Sequence, residues 1–243
     1  MVLLAVLGTL AVLGGYKLLA MSSAFAVDSV SVSGAPPQLQ HEIASAVQAE
    51  AGGHSLLTVD RGAIAQRLSQ MPYVRSVTVD RAFPHTLGIN VAVERPAIAV
   101  AAASGGYLVS NDGRVLELRT KPPAGLPMVR VPSGTSLIVG RDAGDANIAM
   151  ALSVLAQTPA GFSHRVGPIH ELVPNNGMVT ALVGKHLRLR LGTPDHLALK
   201  LAVVQRVMRR ITGAQRSELS YVDVSAPSRP AYGMRSTLPS SGT

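Results

Sequence analysis

The residues able to do chemistry are few, and their spacing argues against most of it. His41-Glu42, His164 and His170-Glu171 are the near pairings of imidazole and carboxylate. A helical zinc hydrolase needs two histidines four residues apart on one face, and none of these has that spacing. The chain has no cysteine, which removes disulfides, thiolate metal sites and thiol nucleophiles. Gly184-Lys185 resembles the end of a phosphate-binding loop, but its spacing from Gly177 is wrong and His186 stands where a hydroxyl residue is needed. A hairpin turn is the simpler reading. No GxSxG elbow supplies a serine nucleophile. Asp142 and Asp145 suit a helix N-terminal turn, where carboxylates offset the macrodipole. The sequence therefore points away from an enzyme, a cofactor and a metal site.

Charge invites a different chemistry. The formal net charge is +8 and the isoelectric point about 10.4, a balance that suits a polyanion partner. The basic residues are scattered, however, and only Arg206, Arg209 and Arg210 cluster tightly. Aromatic residues make up 3% of the chain and Trp is absent, so there is little on which bases could stack. No helix-turn-helix, zinc-finger or RNA-recognition motif is present. A solvated basic surface is the ordinary account.

The elements that carry these residues are legible from periodicity. Residues 27–33 alternate as a strand. Pro36-Pro37 opens a helix with Leu39, Ile43 and Val47 on one stripe, and Gly52-Gly53 stops it. Asp60 caps a second helix in which Ile64, Leu68 and Met71 face inward. Val77 and Val79 alternate with Ser76, Thr78 and Asp80. After the turn at residues 83–86, Leu87, Ile89, Val91 and Val93 alternate with Gly88, Asn90, Ala92 and Glu94. The order β-α-α-β-β lets two helices cover one face of a three-stranded sheet and leaves the other face wet.

Beyond Pro96 the pattern is strand-rich. Asn111-Asp112-Gly113 and Asn175-Asn176-Gly177 are hairpin turns. Residues 142–157 predict a helix capped by Asp142. Thr193 and Pro194 predict the start of another, with Leu197, Leu201, Val204, Met208 and Ile211 buried and Lys200, Arg206, Arg209 and Arg210 outward. Residues 218–225 read as a last strand, lying at a sheet edge or inserted within the sheet. Residues 227–243 read as a flexible C-terminal tail.

Residues 2–26 are long and apolar enough to span a bilayer if Lys17 snorkels to an interface. A cleaved signal ending at Ala24-Phe25-Ala26 is the rival, and the length favours the anchor. The run lacks the basic segment that normally precedes it, which implies a cytoplasmic tail ahead of Met1 in the natural protein. The expected fold class is α+β: a transmembrane helix over residues 1–26, a β-α-α-β-β domain over 27–95, and a mixed β-sheet domain with two helices over 96–226.

Several stretches carry a resemblance. They are residues 27–34 (VDSVSVSG), 53–60 (GHSLLTVD), 72–77 (PYVRSV) and Glu94-Arg95-Pro96. Together they resemble the POTRA module of the FtsQ (DivIB) family of bacterial cell-division proteins, over about residues 25–233. The resemblance implies a POTRA domain followed by an FtsQ-type β domain. It also implies a non-catalytic divisome scaffold in the inner (plasma) membrane, single-pass and extracytoplasmic at its C-terminal side, at the division septum. It implies FtsB/DivIC-like and FtsL-like partners directly, and FtsW- and FtsI-like septal peptidoglycan synthases indirectly. The partner-binding positions it implies are Tyr221, Val222, Val224, Ala226, Tyr232 and Gly233, although the family often has a large aromatic where Ala226 falls. The alternative is a POTRA-bearing transport or outer-membrane assembly factor that binds unfolded polypeptide.

Overall fold

The computed structural model describes residues 25–121, 123–132 and 134–235. The chain divides after Glu94 into two compact units.

The first unit follows the expected order: β1 (Ser29–Ser33), α1 (Pro37–Ala51), α2 (Arg61–Ser69), β2 (Val74–Ala82) and β3 (Thr86–Val93). β3 is central, parallel to β1 and antiparallel to β2. Proline occupies the first turn of α1, where its missing N–H costs nothing. The Asp60 carboxylate accepts the Ala63 N–H at 3.0 Å and so starts α2. Ile43 and Val47 from α1, Ile64 and Leu68 from α2, and Leu87, Ile89 and Val91 from β3 form the core. Each such side chain contributes about 1.5–3 kcal/mol on burial. The other sheet face is wet, with Ser29, Ser31, Ser33, Ser76, Thr78, Asp80 and Asn90 exposed.

The second unit holds one nine-stranded mixed sheet, in the order β12-β11-β10-β9-β8-β7-β4-β5-β6. Its strands are β4 (Pro96–Ala102), β5 (Gly105–Ser110), β6 (Val115–Arg119), β7 (Met128–Arg130), β8 (Ile169–Asn175), β9 (Met178–Val183), β10 (Leu187–Gly192), β11 (Leu219–Asp223) and β12 (Ala231–Met234). Its helices are α3 (Ala146–Ala156), α4 (Phe162–Arg165), α5 (Leu197–Arg210) and α6 (Gly213–Glu218). Parallel strands need a crossover, commonly helical. Helices α3 and α4 lie between the parallel pair β7–β8, and α5 and α6 between the parallel pair β10–β11. Registers place Leu118, Tyr107, Val100, Val129, Leu172, Ala181, Leu189, Val222 and Tyr232 in one row across all nine strands. The seven inner members are buried, whereas Leu118 (53% exposed) and Tyr232 (54%) end the row at the two sheet edges.

The structure corrects several expectations. No helix among the described residues is long and apolar enough to cross a membrane, so the transmembrane helix in the expected fold class is not found. Residues 1–24 of that span lie outside the described residues. Its last two residues are folded into the first unit, where Ala26 bridges Ser55 and the Phe25 carbonyl accepts the Leu56 N–H. That pairing ties their backbone across to a loop instead of along a helix.

Among the described residues four helices, not two, accompany the larger sheet, because the short α4 and α6 carry too little periodicity to read. Asp145, not Asp142, caps α3. It accepts the Asn147 and Ile148 N–H groups, while the Asp142 carboxylate is occupied by the Gly144 N–H. α5 starts at Leu197, behind His196 in the left-handed region, and not at Pro194. Residues 231–234 of the expected tail form β12, and residues 236–243 lie outside the described residues.

Candidate partner-binding edge

The expected binding residues converge on the β10–β11–β12 end of the large sheet, but they do not play one part. β11 is no edge: β10 pairs with it on one side and β12 on the other. Of the two placements open for residues 218–225, an edge or an insertion within the sheet, β11 takes the second, and the edge passes to β12. Val222 and Val224 are completely buried in the core, and the Val224 N–H donates to the Arg190 carbonyl at 2.9 Å. Ala226 is exposed at the start of the turn into β12, where its carbonyl accepts the Arg229 N–H. Tyr232 and Gly233 lie on the edge strand itself.

The direction of the β12 main chain follows from one bond. The Arg235 N–H donates to the Glu218 carbonyl across the ladder. Main-chain groups alternate sides along a strand, so those of Gly233 and Ala231 face β11 and those of Tyr232 and Met234 face away. Among the described residues no strand pairs with that outer side. Tyr232 and Met234 also expose their side chains. An open edge with apolar side chains beside it is a template for an added strand.

Tyr221 does something else. Its partner in register is Gly233, and a Cβ built on Gly233 would lie 2.3 Å from Tyr221 Cε1. The ring thus lies across the glycine, occupying space that any other residue would fill. On its β10 side the ring carries the Arg190 guanidinium, 4.5 Å from its centroid. Arg190 Nη1 also approaches Asp223 Oδ2 at 3.9 Å. Asp223 Oδ1 accepts hydrogen bonds from the N–H and hydroxyl of Ser225. Sequence reasoning missed Arg190; the alternation Leu187-Arg188-Leu189-Arg190-Leu191 places it on the face opposite the leucines, but its partners are distant in sequence.

Behind this edge, Lys200 is completely buried, against the expectation that it points outward. Its ammonium donates to the Thr193 carbonyl at 2.8 Å and to Asp195 Oδ1 at 3.3 Å, pinning the turn between β10 and α5. The Thr193 hydroxyl also donates to Asp195. That hydrogen bond, then the one from Lys200, holds the Asp195 carboxyl below its ordinary value.

The first unit has an edge of its own. The Glu94 N–H donates to the Tyr73 carbonyl, so even-numbered β3 residues face β2, and in register Ser76, Thr78 and Asp80 face β3. Val77, Val79 and Arg81 then turn their main-chain groups outward. They line a groove of about 490 Å³ with residues 59–62 at the start of α2.

The chemistry-bearing residues do not assemble elsewhere. His41 lies on α1, His164 on α4 and His170 on β8. A cleft of about 530 Å³ is lined by Asp112, Asp142, Asp145, Ile148 and Leu152. Two of its carboxylates are committed to backbone N–H groups, as described above. Among the described residues no group of three His, Cys, Asp or Glu side chains could hold a metal ion.

Comparison with known proteins bears on the same regions. The family model described as POTRA domain, FtsQ-type, matches residues 25–95. The cell division protein FtsQ of Streptomyces venezuelae is 28% identical over 233 residues, covering 94% of this chain and 82% of that protein. The cell division protein FtsQ of Anaeromyxobacter sp. (strain K) is 30% identical over 229 residues, covering 90% and 74%. Among solved structures, the major extracytoplasmic domain of the cell division protein DivIB from Geobacillus stearothermophilus aligns with a TM-score of 0.33 at 18% identity. That alignment covers 49% of this chain and 98% of that one.

Proposed function

The chain belongs to the FtsQ family of bacterial cell-division proteins, which is non-enzymatic, and from that premise we propose that it acts at the division septum as a scaffold binding its partners by strand addition. The outward main-chain groups of Tyr232 and Met234 on β12 are the observation that carries this reading. Main-chain pairing supplies affinity, and the neighbouring side chains, Tyr232 and Met234, supply selectivity. The partners are FtsB/DivIC-like and FtsL-like division proteins, with FtsW- and FtsI-like septal peptidoglycan synthases acting downstream. Tyr232 and Gly233 act on the edge, and Ala226 beside it. Val222 and Val224 act from within, as the core of the strand that holds β12. The outer side of β2 is a second main-chain surface on the first unit.

The test is cross-linked capture of partners, identified by mass spectrometry, from cells carrying wild type, Tyr232→Ala, Tyr232→Pro or Met234→Pro. Proline at an outward-facing edge position removes a donor without breaking the internal ladder. Val224→Pro is the unsuitable variant, since that N–H bonds Arg190 within the sheet. Both edge prolines should fold and lose FtsB- and FtsL-like partners, and Tyr232→Ala should retain part of the binding. Undiminished capture by both proline variants would refute strand addition at β12. Capture of exported unfolded chains instead would favour the transport alternative.

A further inference from the structure

β12 is short for a docking edge. It has four residues and, among the described residues, pairs with one neighbour, β11, and such a strand at the end of a sheet belongs to the part of a fold that opens first. A partner strand adding to it needs the amides of Tyr232 and Met234 already held in the sheet plane, because ordering them on binding costs affinity. Two features beyond the backbone ladder meet this need. Gly233 has no side chain, and the Tyr221 ring fills the gap, so the ring of one strand covers the backbone of the next. Arg190, one strand further in, stacks on that ring at 4.5 Å and is itself drawn towards Asp223. The Asp223 carboxylate is fixed in turn by the N–H and hydroxyl of Ser225.

We infer that Arg190 is a positioning residue for the docking edge: stacked on Tyr221 and paired with Asp223, it holds the ring across Gly233 and so keeps β12 in the sheet with its outer amides presented. This rests on the reading of β12 as the docking strand. Arg190 touches no partner. It acts through Tyr221, which makes Tyr221 a brace for β12. The planar guanidinium matters as much as its charge, because lysine could keep the pairing with Asp223 but not the flat stack on the ring. The side chain is half exposed, so replacing it leaves no buried hole and the fold persists.

The experiment is amide hydrogen exchange by mass spectrometry on the full chain, with partner capture measured on the same variants. Arg190→Gln should speed exchange in the segment holding Ala231, Gly233 and Arg235, whose amides face β11, by about two- to fivefold, the worth of one exposed cation–π contact. Exchange in β8, β9 and the first unit should not change. Arg190→Lys, which keeps the charge but not the flat stack, should fall between wild type and Arg190→Gln, Tyr221→Phe should match wild type, and Tyr221→Leu should resemble Arg190→Gln. Unchanged exchange in β12, or acceleration spread evenly over the whole sheet, would overturn the brace whatever capture does. Faster exchange with capture undiminished would instead overturn β12 as the docking edge. Faster exchange with weakened capture in the same variants supports both.

Discussion

Gly233→Ala is the perturbation whose size the structure states most directly. The backbone at Gly233 is not among the left-handed glycines, so alanine meets no φ penalty there. By itself the change would stabilise by about 0.4–1 kcal/mol through the unfolded chain. The added Cβ, however, would stand 2.3 Å from Tyr221 Cε1, 2.9 Å from Cζ and 3.1 Å from Cδ1. The ring must swing away, giving up its cover of β12 and its stack with Arg190, worth about 0.5–1 kcal/mol. Overpacking adds about 1–3 kcal/mol. The net expectation is a loss of about 0.5–3.5 kcal/mol, and the sign is set by the ring. Urea unfolding of wild type, Gly233→Ala, Tyr221→Ala and the double variant forms a cycle that isolates this contact. With the ring gone, Gly233→Ala should cost nothing or stabilise slightly. A coupling below about 0.5 kcal/mol, with Gly233→Ala equally costly in both backgrounds, would refute the reasoning.

Two further outcomes follow from the helix starts. The depressed Asp195 carboxyl favours its ionised form in the folded chain, so its contribution is complete above the ordinary carboxylate range near 4 and is lost as pH falls through the lower folded value. The stability gap between wild type and Asp195→Asn, read by urea unfolding across pH, should therefore narrow with acidification; a gap that widens would contradict the Thr193–Asp195–Lys200 arrangement. Asp145→Ala should cost about 0.5–2 kcal/mol through loss of the α3 cap, and Asp142→Ala less. Equal thermal destabilisation by the two would place the helix start elsewhere.

The first unit was legible because its signals are local. The alternation in residues 76–80 and 87–94, Pro37 in the first turn of α1 and Asp60 as a cap each act within a few residues of chain, so sequence alone determined the order β-α-α-β-β and which side chains face inward. The same held for the turns at Gly113 and Gly177, both in the left-handed region, where hairpin geometry demands it. The candidate edge was different. Residues 231–234, AYGM, show no alternation that marks a strand, and they become one because β11 offers them a ladder and the Tyr221 ring covers Gly233. Lys200 lies beside the buried stripe of its helix, three residues after Leu197 and four before Val204; its charge suggested solvent, yet the carbonyl of Thr193 and the carboxylate of Asp195 give its ammonium partners inside the fold. Arg190 meets Tyr221 across 31 residues of chain that include two helices. Periodicity and caps fixed the elements of the first unit; which strand of the second took the open edge was decided by pairings between segments far apart in sequence, whose energies no local pattern encodes.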